Sequence, residues 1–231
     1  MTADAAARPW RPVAGGVEVA VRVTPRPSRA ALRGVVDGGP VGEPRLVFAD
    51  HMRPLVLSEL RDQWRAKASL AGGGSLVDIG IYSVNGARYL LGEEPTEVVG
   101  RYLPASGNPA IEVEEGVEWA MAFPSGAVAL CQSGYREFES KRMSVQGADG
   151  ELKLDPATDY YENRLTVRTE GETRQIRVPN PNQFADMLDE MGAAVQERRA
   201  PKTPGEEGLR DVRVMRAIYA SADAGGQPVA V

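Results

Sequence analysis

The sequence predicts an α+β fold, a large and mainly antiparallel sheet with helices packed on one face. Three observations carry this expectation. The middle of the chain, Thr96 to Val178, reads as successive short strands separated by turn residues. A helix that is apolar around most of its circumference, Leu76 to Leu91, precedes those strands. Two more helical patterns close the chain, so helices and strands come in runs and not in the strict alternation of a parallel α/β sheet.

Met1 to Gly16 is rich in Ala, Pro, Arg and Gly and has no period, so it reads as a flexible leader ahead of one α+β domain at 17–231. In Val17 to Val23 the valines at 17, 19, 21 and 23 face one way, the mark of a strand. Ser28 can cap a helix through about Asp37, which Gly38 and Gly39 end. Pro44 to Asp50 reads as a second strand, His51 to Leu57 as a loop, and Ser58 to Trp64 as a short helical turn. In the apolar helix, Leu76, Ile79, Ala87, Leu90 and Leu91 share a face, which Val77, Ile81 and Val84 widen. Asp78 and Arg88 are its only charges, and Gly92 supplies the stop.

Glu97 to Tyr102 is the next strand. Val117 to Phe123 and Ala127 to Tyr135 form a hairpin across Pro124-Ser125-Gly126, with Val117, Trp119, Met121 and Phe123 on one face. Lys141 to Gln146, Glu151 to Leu154, Arg164 to Thr169 and Thr173 to Val178 continue the meander, with Glu170-Gly171-Glu172 as a turn. In the first closing helix Phe184, Leu188, Met191 and Val195 share a face. Thr203 caps the second, with Pro204 at its first position and Glu206 and Glu207 in its first turn, and Gly225-Gly226 ends it.

Composition narrows the function classes. The chain has 231 residues, 42% hydrophobic and 26% charged, as expected of a soluble globular protein. A net charge of -5 argues against nucleic acid or an anionic membrane as a partner. The single cysteine, Cys131, allows no intrachain disulfide and points to a reducing compartment, the cytoplasm. Cys131 itself reads as an inert buried thiol on a strand. With His51 the only histidine, a zinc site of the Cys/His type is excluded, and no metal is expected. No apolar run reaches membrane-spanning length, and the N-terminus lacks the apolar core of a secretory signal.

Four polar residues stand out on the apolar helix: Asp78, Tyr82, Asn85 and Tyr89, which spacings of four, three and four place in one stripe. A buried carboxylate without a partner costs several kcal/mol, so Asp78 must line a cleft or be paired. Gly72-Gly73-Gly74 opens the helix, where free N–H groups can hold an anion. Close backbone packing is the other reading, preferred because no second phosphate-binding element accompanies it. A dinucleotide-binding half needs a strand, a glycine-rich turn and a helix in that order. The glycines of Gly34 to Gly42 instead follow a helix and precede a strand.

The stretch DQWRAKASLAGGGSLVDIGIYSVNGARYLLGEEP, Asp62 to Pro95, closely resembles the Gfo/Idh/MocA oxidoreductases, and within them the glucose-fructose oxidoreductase branch. The likeness continues through SVQGADGELKLDPATDYYEN (Ser144 to Asn163), NQF (Asn182 to Phe184) and PGEEGLRDVRVMRAIYASADAGGQPV (Pro204 to Val229). It covers nearly everything after about Val17 and is a likeness to the C-terminal α+β half of the family alone. It implies an open-faced sheet, NADP(H) as cofactor, a sugar or polyol ligand, and a homodimer formed through the open sheet face. The residues opposite the predicted core row, Glu118, Ala120 and Ala122 with Val128, Leu130 and Gln132, suit such sheet-on-sheet packing.

The resemblance also implies roles. Asp78 and Tyr82 match the family's catalytic positions, where a phenol relays a proton if a nearby cation or hydrogen bond lowers its pKa. Trp64 and Arg65 match a pair that approaches the dinucleotide when a cofactor domain is present. Arg22 sits where the family has Gly-Tyr-Arg, here Ala20-Val21-Arg22, and with Asn85 forms the substrate side. Tyr160 and Tyr161 read as strand-end packing. The family's Glu-Lys-Pro lysine has no counterpart among Lys67, Lys141, Lys153 and Lys202. The expectation is therefore a non-catalytic sugar- or small-ligand-binding or self-association module that binds no dinucleotide alone. The alternative is a subunit of an NADP(H)-dependent sugar oxidoreductase whose cofactor domain comes from a partner chain.

Overall fold

The computed structural model describes residues 10–13, 16–19, 39–160, 163–177 and 182–231. Arg22 and the helix expected from Ser28 to Asp37 lie outside the described residues. Strand β1 (Trp10–Val13) pairs antiparallel with β2 (Gly16–Val19), Trp10 opposite Val19. A strand thus lies within the stretch expected to be a leader, where Trp and Val favour extended backbone.

The main sheet is built from β3 (Pro44–Met52), β4 (Glu97–Tyr102), β5 (Gly116–Ala122), β6 (Val128–Gly134), β7 (Ser140–Gly147), β8 (Gly150–Leu154), β9 (Arg164–Thr169), β10 (Glu172–Arg177) and β11 (Val229–Ala230). These nine strands lie in the order β10-β9-β8-β7-β3-β6-β5-β4-β11. The fold class is as the sequence predicts. Among the described residues β3 and β6 form the one parallel pair, and the remaining pairings are antiparallel. β3 runs two residues further than its apolar pattern suggested and takes in His51 and Met52.

Period-two alternation separates the two faces of the sheet. Val47, Val117, Trp119, Met121, Ala129, Cys131, Val145 and Leu152 turn into the core and are buried. Phe48, Glu118, Ala120, Leu130 and Gln132 point the other way and are partly or fully exposed.

Helices cover the inner face. After the short α1 (Leu60–Gln63), a 3₁₀ turn (Trp64–Ala66) and α2 (Ala68–Ala71), a single π-helical turn (Leu76–Gly80) leads into α3 (Ile81–Leu91). Leu76, Ile79, Val84, Ala87, Leu90 and Leu91 are buried as their spacing predicts, and α3 lies across β3, β6 and β7. Gly92 ends the helix at φ 67°, a conformation that disfavours a side chain, and its N–H bonds the carbonyl of Arg88 at 2.9 Å. Helix α5 (Gly205–Asp223) packs on β4, β11 and α3. Pro204 occupies its N-cap, one residue after the expected Thr203. Helix α4 (Gln183–Gln196) is capped by Asn182, whose side chain accepts from the N–H groups of Phe184 and Ala185, both at 3.2 Å. The predicted apolar face of α4 forms, but it is turned to solvent.

One charged cluster joins α3 to α5. Arg88 is 1% exposed and pairs with the fully buried Asp211, while its Nε and Nη2 donate to Glu94 at 2.6 and 2.8 Å. Asn85 donates to both carboxylate oxygens of Asp211, at 2.9 and 3.2 Å.

Candidate functional site

The site lies where the C-terminal end of β3, the start of β7 and the first turns of the central helix converge, closed by the 155–160 segment between β8 and β9. Asp78, on the π turn, accepts from Arg65 Nε through both oxygens, at 3.1 and 3.0 Å, and from the Tyr135 hydroxyl at 3.0 Å. The expectation that Asp78 is paired or lines a cleft is met by pairing. Arg65 is fixed in turn. Its Nη1 donates to the carbonyl of Arg61 and lies 3.4 Å from the buried Asp62, which also holds Arg53 and accepts from the Val56 N–H at 2.9 Å. Burial, together with the Asp78 charge, pushes the Tyr135 phenol well above its usual range, so it stays protonated and donates.

Tyr82 is 40% exposed and presents its ring at the surface of the site. Behind it stands His51, 5% exposed, with ring centroids 4.9 Å apart and planes inclined by 27°. The His51 Nδ1 lies 3.3 Å from the Thr158 hydroxyl. Burial and the Lys141 charge bring the His51 pKa down to about 4, so the imidazole is neutral at physiological pH. Lys141 is tied to Asp159 at 3.1 Å and to Glu139 at 2.8 Å. The Tyr82 pKa is pushed up to about 12, first by burial, then by its hydrogen bond to Tyr160, with the Asp78 charge adding to it. The lowering by a cation or hydrogen bond on which the relay role depends does not occur, and Tyr82 is held protonated instead.

Asp78 and Tyr82 thus sit side by side but belong to two hydrogen-bonded groups. Asn85, the next residue of the stripe, turns its amide to Asp211. Trp64 is 43% exposed, and the Arg65 guanidinium carbon lies 4.6 Å from the centroid of its ring. His51, Tyr135 and Lys141 were not singled out from sequence. His51 is the next inward position after Val47 and Ala49, one residue beyond the strand expected there, and Tyr135 closes its expected strand on the inward row of Ala129, Cys131 and Ser133.

The glycine entry to the helix is already occupied by a carboxylate. Glu114 Oε2 accepts from the Gly74 N–H at 2.6 Å and Oε1 accepts from the Leu76 N–H at 3.0 Å, while the Tyr219 hydroxyl donates to Oε1 at 2.8 Å. A Cβ on Gly73 would lie 2.6 Å from the Tyr219 hydroxyl, and one on Gly74 would lie 2.6 Å from Glu114 Oε2. Close packing is therefore what these glycines provide. Arg65 is committed to Asp78, the Gly74 and Leu76 N–H groups to Glu114 and the Gly72 N–H to the Ala68 carbonyl, so the residues present do not form a cradle for a dinucleotide pyrophosphate. Among the described residues no cluster of potential ligands could hold a metal ion, and no helix is long and apolar enough to cross a membrane.

Comparison with known proteins agrees with this architecture. A family model described as the oxidoreductase family, C-terminal alpha/beta domain, matches residues 33–231. The D-xylose 1-dehydrogenase [NADP(+)] of Haloarcula marismortui is 27% identical over 207 residues, 89% of this chain and 58% of the relative. The 1,5-anhydro-D-fructose reductase of Ensifer adhaerens is 26% identical over 198 residues, 84% of this chain and 58% of the relative. Among solved structures, the aldose-aldose oxidoreductase from Caulobacter crescentus complexed with glycerol superposes with a TM-score of 0.80 at 37% identity, covering 88% of this chain and 60% of that one. The chain therefore spans about three-fifths of the length of these relatives.

Proposed function

Because the chain belongs to the Gfo/Idh/MocA oxidoreductase family, through its C-terminal alpha/beta domain, we propose that it is the sugar-side half of an oxidoreductase. On its own it binds a sugar or polyol beside Tyr82 without turning it over, and redox chemistry requires a dinucleotide-binding half contributed by a partner. The single observation that carries this reading is Tyr82, an exposed phenol kept protonated, backed by His51 and flanked by Asp78. A protonated phenol suits giving a proton to a carbonyl oxygen, the reducing direction, better than taking one from a hydroxyl. Asp78, held by Arg65 and Tyr135, presents a fixed negative charge next to it. NADP(H), the cofactor of the xylose-dehydrogenase relative, would supply hydride transfer. The occupied glycine entry supports the expectation that this chain alone does not retain it.

Calorimetry tests both parts. Titration of glycerol, xylose or glucose is expected to give weak binding that Tyr82→Phe reduces, and NADP(H) is expected to give none. Micromolar binding of NADP(H) by the chain alone would remove the reading and promote Trp64, Arg65 and Gly72 to cofactor ligands.

The open sheet face supports a second proposal, a homodimer with the sheets face to face. Across it Val99, Ala120, Leu130 and Phe48 lie in one register row, with Leu130 and Phe48 42% and 43% exposed. Polar residues flank this row, among them Arg101, Glu118, Gln132 and Asp50. An apolar strip with a polar rim fits an isologous interface. Sedimentation is expected to give twice 24.8 kDa, and Ala120→Glu to return it to the single mass. A single mass for the unaltered chain would rule the dimer out. The buried, single Cys131 fits the cytoplasm as the working compartment.

A further inference from the structure

Asp78 stands on the π turn, and both donors that hold its carboxylate come from elsewhere in the chain. Arg65, on the 3₁₀ turn, spreads its Nε–H across the two oxygens at 3.1 and 3.0 Å. Tyr135, one residue past β6, donates its hydroxyl to Oδ2 at 3.0 Å. Two donors from two elements fix the rotation of a carboxylate that a single bond leaves open. Each donor is anchored without Asp78. The Tyr135 N–H donates to the Glu115 carbonyl at 2.7 Å, and its own carbonyl accepts from the Leu55 N–H at 2.9 Å. Its ring is buried. Arg65 is held by the Arg61 carbonyl and by Asp62, which also binds Arg53. Asp78 is therefore the dependent member of the group. A phenylalanine ring would fill the space of Tyr135; what its hydroxyl adds is the bond to Asp78.

The carboxylate has room for one more donor. It offers about four acceptor positions, and Oδ1 is engaged by the shared Arg65 N–H alone among the described residues. The side chain is 20% exposed, and its charge reaches both Tyr82 and His51. We propose that Tyr135 is a positioning residue: with Arg65 it pins Asp78 so that Oδ1 stays open to a ligand hydroxyl beside Tyr82. This rests on the reading that the site binds a sugar or polyol. A carboxylate accepts and does not donate, so the ligand group it receives there is a hydroxyl and not a second carboxylate.

The test follows Tyr82 by NMR in the 231-residue chain carrying tyrosine labelled with carbon-13 at Cζ, the signal being assigned by its loss in Tyr82→Phe. Tyr135→Phe keeps the ring and removes the hydroxyl. It is expected to shift the Tyr82 signal in the direction that Asp78→Asn shifts it, and to add nothing once Asp78 is Asn. Calorimetry with xylose is expected to give an affinity roughly tenfold weaker in Tyr135→Phe, again with no further loss in the Asp78→Asn background. Arg65→Gln removes the other anchor and is expected to move the Tyr82 signal the same way. A residue that only supports the fold would lower the urea midpoint and leave the Tyr82 signal of the folded chain in place, which overturns the proposal. It is also overturned if Tyr135→Phe does not fold, or if its effects are equally large with and without Asp78→Asn, since Tyr135 then does not act through Asp78. The sugar reading fails separately. An unaltered chain that binds no sugar, with the Tyr82 signal moving as expected, removes that reading and keeps the pinning of Asp78. Sugar binding that Tyr82→Phe weakens and Tyr135→Phe does not keeps the reading and removes the proposal.

Discussion

Replacing Arg88 by Met isolates the energetic role of the buried charge between α3 and α5. The guanidinium is 1% exposed and its partner Asp211 is fully buried, so their attraction is little screened by water. Of its other partners, Glu94 has a side chain 46% exposed and adds little, while Glu207, 13% exposed, lies 3.3 Å from Nη1 and also loses a cation when Arg88 is replaced. Met keeps the apolar volume and removes the charge. The Asp211 carboxylate then keeps the Asn85 amide but loses its cation. Removing one member of a buried pair costs about 3–5 kcal/mol, roughly a fifth or more of the stability of an ordinary domain. For a chain of this size that corresponds to a fall in Tm of roughly 6–20 °C. The assay is urea unfolding followed by circular dichroism, with Asp211→Leu and the double change completing a cycle. Most of the loss should return in the double variant, because a buried pair replaced by apolar groups is often near neutral. If Arg88→Met melts within about 3 °C of the parent, or if the two single losses simply add, the reasoning is refuted.

Acid should reveal His51. Its pKa is about 4 in the folded chain against 6.5 in the unfolded one, so between these values the unfolded chain binds the extra proton. Stability is then complete above pH 6.5 and falls as pH drops to 4, by up to about 3 kcal/mol; His51→Phe should flatten that part of the stability profile, and an unchanged slope would count against it. Gly74→Ala is expected to cost about 1–3 kcal/mol by driving a methyl into Glu114, and an unshifted denaturation midpoint would mean that the helix entry is loose. Tyr82→Phe should cost less than about 1 kcal/mol, because the residue is 40% exposed and its hydroxyl bonds the neutral Tyr160; a loss above about 2 kcal/mol would make Tyr82 a structural residue.

The elements legible in the sequence are those whose period is imposed by one buried face. The rows Val117/Trp119/Met121 and Leu76/Val84/Ala87/Leu90 were fixed by water exclusion alone, and their burial follows the alternation and the helical spacing. The parallel pairing of β3 with β6 was not legible, because strand direction is set by long-range register and leaves no local pattern. Asp78 and Tyr82 announced themselves as polar residues on an apolar helix. Their partners did not, since Arg65, Tyr135, His51 and Tyr160 come from four other parts of the chain. The capture of the glycine entry by Glu114 was equally hidden, being a contact across 40 residues.

The π turn at Leu76–Gly80 separates the length of the central helix from its orientation. Such a turn carries one residue more than an α turn. Each residue gained or lost in an unbroken helix swings everything beyond it by about 100°, which here would carry Val84 and Ala87 out of the core. The π turn holds that extra residue as slack. Shortening the chain by one residue at Val77 is expected to let the turn tighten to α geometry while Ser75, bonded to Ser133 at 3.0 Å, and the helix from Ile81 onward keep their places, which an unchanged denaturation midpoint would check. Asp78 and Tyr82 can then be re-aimed against each other by a single deletion, without repacking the layer beneath them.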